Sequence, residues 1–378
     1  MSFYQAIRNF SIAAGPVLGG VLANFLGFRS IFIFLLVLSS ITVLAITVFL
    51  PETLRSIAGD GSLRLTGIHE PLIRRFRKRP DNLEDRDASY VRPPVALRTF
   101  FEPLLLLKRK EILLNLIFGG VIYAIWSMVT SSTTNLFKQL FLLDELKLGF
   151  AFVPNGKFNS IPCRSRACSI SPQHLWPPYA HSHLATLISF TGLGTIVGSV
   201  VIGLLMNRSY KQVEDDYRIQ HNMSAFQPLS KKSLPAEFPL EKARLKHIPW
   251  LTALFITSTT AYGFSLGSKS LTELPGWIAV PLVLQFLITA TSNAVFAVNQ
   301  TLVSDLCPGK GASSTAVNNL VRCSMGAVGV ALIDKMITAL GVGPAFAGLG
   351  LVTVALCPLC VVQWYWAMSW RVRRMSSK

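Results

Sequence analysis

Residues 31–50 read IFIFLLVLSSITVLAITVFL, a stretch without a single charged side chain. A helix of this length rises about 30 Å, which is the thickness of the hydrocarbon core of a bilayer. The stretch shows no strict alternation of apolar and polar residues, so a helix is predicted rather than a strand of a membrane barrel. It therefore predicts a transmembrane helix and an all-α membrane protein.

Comparable apolar blocks recur along the rest of the chain. Hydrophobic residues make up 51% of its 378 positions and charged residues 15%, against about 25% charged residues in soluble domains. Two of the blocks, at 146–156 and 192–206, are only half as long as a span needs. The others predict full spans at 10–28, 112–133, 248–266, 277–303, 312–340 and 342–366.

Positive charge predicts which loops face the cytosol. Residues 51–111 hold 13 Lys or Arg against 9 Asp or Glu, and residues 207–247 hold 8 against 5. Because an excess of Lys and Arg is typical of cytosolic loops, we predict a central cytosolic loop at 53–111, a second one at 207–247 and a cytosolic tail at 367–378. The net charge of +17 then reflects topology and attraction to anionic lipid headgroups, and nucleic-acid binding is not expected.

The sequence contains no recognisable enzyme chemistry. Its six cysteines follow no disulfide pattern, and cysteine within an apolar span is most often a small packing residue. No set of nucleophile and base, no phosphate-binding loop and no metal motif stands out. We therefore predict neither an enzyme nor a bound metal or cofactor.

Residues 157–191 interrupt an otherwise good span. The interval is polar and rich in Pro, Ser and His. Without it, residues 146–156 and 192–206 would join into one continuous helix, and the dipeptides at its edges can be encoded by splice-donor and splice-acceptor sequences. A retained intron is the leading interpretation. A genuine external loop, a re-entrant hairpin and a metal-binding insert built on its cysteines and histidines stay open as alternatives.

Several motifs carry a family resemblance. Residues 11–20 read SIAAGPVLGG, in which small residues permit close helix approach and the proline bends the helix. This resembles the antiporter motif G-x-x-x-G-P-x-x-G-G of the major facilitator superfamily, through Gly15, Pro16, Gly19 and Gly20, with Ser11 in place of the first glycine. The run FLPETLR at 49–55 and the run DLCPGKGASSTAVNNLVRC at 305–323 are similar to segments of the fungal drug:proton antiporters of that superfamily.

A further motif lies on the cytosolic side. Residues 203–211, GLLMNRSYK, resemble the loop signature G-x-L-x-D-R-x-x-R of the same superfamily through Gly203, Asn207, Arg208 and Lys211. Asn207 replaces the usual acid, which weakens any charge relay at this gate. Asp305, just inside the cytosol, is expected to cap a helix or to pair across the gate.

The resemblance implies a twelve-helix protein made of two six-helix bundles, with the substrate bound between them. By this reading the chain supplies helices 5 to 12. Residues 1–52 then form the last two helices of the N-terminal bundle and residues 112–366 the C-terminal bundle, and helices 1 to 4 lie outside the chain. The resemblance implies a monomeric, multi-pass plasma-membrane protein that exports small organic compounds or drugs in exchange for protons by alternating access. The alternative is a truncated, non-transporting product of such a gene.

Arg322 is the first candidate for a substrate-binding residue. It lies near the middle of the predicted span 312–340, where a charged side chain is costly unless it faces a cavity or a partner. One interpretation is that Arg322 faces the central cavity and binds anionic substrate groups or balances a carboxylate. The other is a structural hydrogen bond to helix-end carbonyls or to Asn319.

The span 112–133 offers a polar stripe. Tyr123, Ser127, Ser131 and Asn135 recur at intervals of four residues and therefore share one helix face. The stripe either lines a cavity or packs against neighbouring helices. Asn299 is predicted to contribute from the span 277–303. No carboxylate is predicted at mid-membrane, so the proton carrier is expected outside this chain.

Overall fold

The computed structural model describes residues 25–50, 102–141, 190–222 and 235–376, with single-residue gaps at 236, 273, 275 and 309, together with residues 18, 19 and 22. The chain divides into two compact units, one of residues 21–99 and the other of residues 1–20 and 100–378. The predicted insert at 157–191 lies outside the described residues except for its last two positions.

The smaller unit contains helix α1, Phe28–Phe49, which confirms the helix predicted at 31–50. Gly27 precedes it with a φ of 82°, a left-handed conformation that glycine adopts without steric cost. Most of its large apolar side chains are exposed, among them Phe32, Leu36 and Leu44. Such a surface is stable in lipid, where an apolar side chain needs no cover from water.

The described part of the larger unit contains six long helices, one short helix and a single helical turn at Lys269–Thr272. In chain order the helices are α2 (Lys110–Phe141), α3 (Phe190–Gln220), α4 (Leu240–Leu245), α5 (Ile248–Gly267), α6 (Ala279–Leu306), α7 (Gly311–Leu340) and α8 (Val342–Ser376). A short 3-10 helix, Glu102–Lys108, leads into α2. Helix α6 lies at the centre and packs on α2, α3 and α5, while α2 also packs on α7 and α5 also packs on α8.

Close packing between these helices depends on glycine. A Cβ atom at Gly198 of α3 would collide with the backbone of Ala290 in α6. On the other side of the bundle, a Cβ atom at Gly329 of α7 would lie 3.3 Å from the backbone oxygen of Ala124 in α2. Small residues at helix contacts are typical of membrane bundles, where close van der Waals packing replaces the hydrophobic effect.

Length and composition suit five of the described helices to crossing a membrane: Phe28–Phe49, Lys110–Phe137, Ala279–Leu306, Gly311–Leu340 and Val342–Arg374. Helix α5 is less apolar because it carries Thr252, Ser258, Thr259 and Ser265, all of which are buried. These four polar side chains therefore lie inside the bundle, whereas Thr257 is exposed, and the predicted block at 248–266 forms a helix as expected.

Helix α3 differs from the prediction in length. The apolar block ends near Met206, but the helix continues to Gln220, well into the predicted loop 207–247. The additional turns are polar and contain an ion pair between Glu214 and Arg218 at 2.8 Å, four residues apart. Such a pair supports a helix in water, so the end of the apolar block marks a change of surroundings rather than the end of the helix.

Helix α4 also lies within the predicted loop, and two of its three charged side chains, Glu241 and Arg244, are buried. Glu241 and Arg371 of α8 form an ion pair at 3.0 Å, with 1% and 5% of their side chains exposed. Arg244 pairs with Asp305 of α6 at 2.9 Å and lies over the ring of Tyr210 of α3. Burial raises the pKa of the Glu241 carboxyl, and the Arg371 guanidinium only partly offsets this. We call these residues the α4 clasp, since they join α3, α6 and α8 at one end.

Candidate functional site

Arg322 lies close to the middle of α7. It follows Gly311 by eleven residues in a helix of 30 residues, so it lies about 17 Å along an axis of about 45 Å. Its Nη2 atom donates a hydrogen bond to the Oδ1 atom of Asn319 at 3.0 Å. This is the hydrogen bond that the structural interpretation of Arg322 predicts.

The Arg322 guanidinium also contacts aromatic rings from two other helices. Its central carbon lies 4.8 Å from the ring centroid of Tyr123 in α2 and 5.5 Å from that of Phe296 in α6. Cations within about 6 Å of an aromatic centroid are attracted by the ring quadrupole. Arg322 is half-buried, so these rings replace part of the solvation of its guanidinium.

Tyr123, Trp126 and Phe296 form a continuous aromatic wall. The ring centroids of Tyr123 and Phe296 are 5.4 Å apart, and that of Trp126 lies 5.4 Å from Tyr123 and 6.2 Å from Phe296. The Nε1 atom of Trp126 is buried and has no hydrogen-bond partner among the described residues. Together with Arg322 we call these side chains the Arg322 cluster. It offers apolar surface beside two kinds of hydrogen-bond donor.

A glycine in α7 makes room for the cluster. A Cβ atom at Gly326 would lie 2.7 Å from the ring of Tyr123 and 3.3 Å from the Oγ atom of Ser127. The absence of a side chain at this position lets Tyr123 lie beside Arg322, which is one turn away on the same helix. The position of the Tyr123 ring therefore depends on glycine at position 326.

A second polar contact lies one turn away on α6 and one to two turns away on α2. Asn299, three residues after Phe296, is buried, and a Cβ atom at Gly119 would collide with its side-chain amide. The Nδ2 atom of Asn115 donates to the backbone oxygen of Asn299 at 3.2 Å. Both asparagines thus lie at the contact between α2 and α6 that also brings Tyr123 against Phe296.

The other predicted cavity residues differ in how deeply they are buried. Ser127 is half-buried beside Gly326, whereas Ser131 and Asn135 are exposed. The predicted stripe is therefore packed at its centre and open toward the C-terminal end of α2. Asn318, the neighbour of Asn319, bonds to Gln300 of α6. Of the predicted candidates, the structure brings Arg322, Asn319, Tyr123 and Ser127 together, with Asn299 one turn away.

The residues of the predicted cytosolic gate motif and of the antiporter motif are not brought together by the described contacts. Gly203, Asn207, Arg208 and Lys211 lie exposed on α3, and none of the described contacts joins them to Asp305. Asp305 instead pairs with Arg244 in the α4 clasp, so it does form a pair at this end of the bundle, but with a different helix. Of the antiporter motif, Gly15, Pro16 and Gly20 lie outside the described residues, and within the described part nothing lies near Gly19.

Sequence reasoning missed Phe296, Asn115 and the residues of the α4 clasp other than Asp305. Phe296 looks like any other apolar residue of its span. Asn115 could have been found, since the four-residue series that runs through Tyr123 and Ser127 continues backward to Gly119 and Asn115. The clasp residues look like solvated charges in a polar loop, because their partners are distant in sequence.

Comparison with known proteins agrees with the helix arrangement. A family model described as Major Facilitator Superfamily matches residues 1–330. The chain belongs to this superfamily. The Major Facilitator Superfamily consists of membrane transporters, so the match supports the prediction that the chain is not an enzyme, and the predicted all-α helical fold is confirmed.

Fungal proteins are among the relatives that match. Citrate exporter 1 of Aspergillus niger is 34% identical over 381 residues, which cover 100% of this chain and 64% of that protein. Multidrug transporter QDR2 of Candida glabrata is 26% identical over 381 residues, 95% of this chain and 57% of the relative. Quinidine resistance protein 1 of Saccharomyces cerevisiae is 25% identical over 359 residues, which cover 90% of this chain and 56% of that protein. The chain thus spans less than two thirds of the length of these relatives, and no solved structure matches it.

Proposed function

We propose that the protein exports small organic compounds in exchange for protons by alternating access, and that its preferred substrates carry a carboxylate. The observation that carries the proposal is the Arg322 guanidinium, half-buried at the middle of α7 and lying over the rings of Tyr123 and Phe296. A planar guanidinium matches the geometry of a carboxylate, and the rings offer apolar contact to the carbon skeleton of the substrate.

The charge of the cluster distinguishes between two substrate classes. The name of one relative refers to citrate, an organic anion, at 34% identity, whereas two others refer to multiple drugs or to quinidine at 26% and 25%. An arginine attracts an anion and repels a cation. The aromatic wall would suit drugs, so neutral aromatic compounds form the second candidate class.

Proton coupling is a separate part of the proposal. Its support is the resemblance of residues 11–20 to an antiporter motif. Acidic side chains in the described long helices lie toward the helix ends, as Glu111, Asp305 and Asp334 do. We therefore expect the proton to be carried outside the Arg322 cluster. Residence in the plasma membrane and a monomeric state complete the proposal.

The test is transport into inside-out vesicles that contain the protein. We expect a labelled tricarboxylate to accumulate when the vesicle interior is acidified, and an uncoupler to abolish accumulation. Arg322→Ala should lose this transport while protein levels stay within a few-fold, and Arg373→Ala, which removes an exposed arginine of α8, serves as the matched control. Accumulation that persists in Arg322→Ala would overturn the assignment of the site.

A further inference from the structure

Asn115 and Asn299 are the most deeply buried amide pair next to the Arg322 cluster. Their exposed fractions are 1% and 3%. The Oδ1 atom of Asn115 and both the Oδ1 and Nδ2 atoms of Asn299 are buried without a hydrogen-bond partner among the described residues. Buried polar groups in folded proteins are nearly always hydrogen-bonded, so three such atoms at one helix contact require an explanation.

The packing around the pair holds the carboxamides in place. Asn115 is fixed by its hydrogen bond to the backbone oxygen of Asn299 at 3.2 Å. The Asn299 amide lies over Gly119, where a Cβ atom would collide with it. Because glycine is the one residue that leaves this space, the arrangement needs Gly119 as much as it needs the two asparagines.

The chemistry of the unpaired atoms indicates what they bind. One is an N–H donor and two are carbonyl acceptors. A hydroxyl group is the smallest group that both accepts and donates a hydrogen bond. It can therefore accept from the Asn299 Nδ2 atom and donate to one of the two carbonyl oxygens. A carboxylate only accepts and an ammonium only donates, so neither matches the set.

We infer that Asn115 and Asn299 form a hydroxyl-binding subsite. Asn299 lies about one helical turn from Phe296 along α6, and Asn115 lies two turns, or about 12 Å, from Tyr123 along α2. The hydroxyl comes either from a water molecule or from a hydroxylated organic acid whose carboxylate lies on Arg322. The second source rests on the proposed function. The subsite would then select hydroxy acids over the corresponding deoxy acids.

Competition binding with matched acids that differ in one hydroxyl tests the substrate source. We expect the wild-type protein to prefer the hydroxylated acid on the order of tenfold, the effect of one buried hydrogen bond left unmade. Asn299→Leu and Gly119→Ala should reduce this preference below about threefold without weakening the deoxy acid. Gly348→Ala is the control, since a Cβ atom there meets nothing within 4 Å.

An experimental structure without substrate tests the water source. A wild-type protein that shows no preference, but has a water oxygen in hydrogen-bond contact with both carboxamides, supports the inference with water as the ligand. Absence of any preference together with absence of such an oxygen would overturn it. If the wild-type protein binds no organic acid, the proposed function fails. The inference about the subsite is then tested by whether the structure contains a water oxygen in contact with both carboxamides.

Discussion

Replacing Arg371 by methionine removes one half of the buried ion pair of the α4 clasp. The Nη2 atom of Arg371 lies 3.0 Å from the Oε2 atom of Glu241, and the same nitrogen donates to the backbone oxygen of Phe238. Without Arg371, the Glu241 carboxylate is left buried and unpaired. Loss of one partner of a buried pair typically costs about 3–5 kcal/mol, and we expect the free energy of unfolding to fall by this amount at neutral pH.

The double variant Glu241→Leu with Arg371→Met provides the comparison. Replacing both partners by apolar residues removes the unpaired charge, so most of the lost stability should return. Unfolding by a denaturing detergent, followed by circular dichroism, measures all variants. Arg373→Met is the control because Arg373 is exposed on the same helix. An Arg371→Met protein as stable as this control would refute the claim that the clasp holds α4 against α8.

Burial raises the folded-state pKa of Glu241 above its ordinary value of 4.5, so between these two values the folded protein holds a proton that the unfolded chain has released. Stability should therefore fall as pH rises through this window, and Glu241→Gln should remove that slope. Asp305→Asn should lower the free energy of unfolding by about 1–3 kcal/mol, measured in the same assay, because it leaves Arg244 without its carboxylate. Gly326→Val should displace Tyr123 from Arg322 and weaken substrate binding at least several-fold, as measured by competition.

Each of these has an outcome that would count against it. A pH profile of Glu241→Gln that matches the wild type would show that another group carries the slope. An Asp305→Asn protein of unchanged stability would mean that its ion pair with Arg244 contributes nothing in solution. If Gly348→Val weakens substrate binding as much as Gly326→Val does, the effect at Gly326 is general helix disruption and not displacement of the tyrosine ring.

The helices could be predicted because apolar blocks of membrane length have few alternatives to a helix. Residues 31–50 and 312–340 illustrate this, since α1 and α7 match them closely. The end of α3 could not be predicted in the same way. Hydropathy reports where the lipid-like surroundings end, and α3 continues beyond that point as a polar helix to Gln220.

The site could be predicted only in part, because hydropathy does not show which side chains of different helices come into contact. Arg322 stands out because a charge within an apolar block is unusual. Its neighbour Phe296 does not, because a phenylalanine in an apolar block has no distinguishing chemistry. The pairing of Glu241 with Arg371, 130 residues apart, depends on how the helices pack, and a single sequence contains no record of that contact.

Equilibrium binding of a labelled tricarboxylate to the purified protein tests the central claim most directly. The claim is that Arg322, held by Tyr123 and Phe296, binds the carboxylate of the substrate. We predict that Arg322→Ala abolishes detectable binding and that Arg322→Lys weakens it by about tenfold or more, because an ammonium does not reproduce the planar donor geometry of a guanidinium. Equal affinity of the wild-type protein and the Arg322→Ala variant would contradict the account.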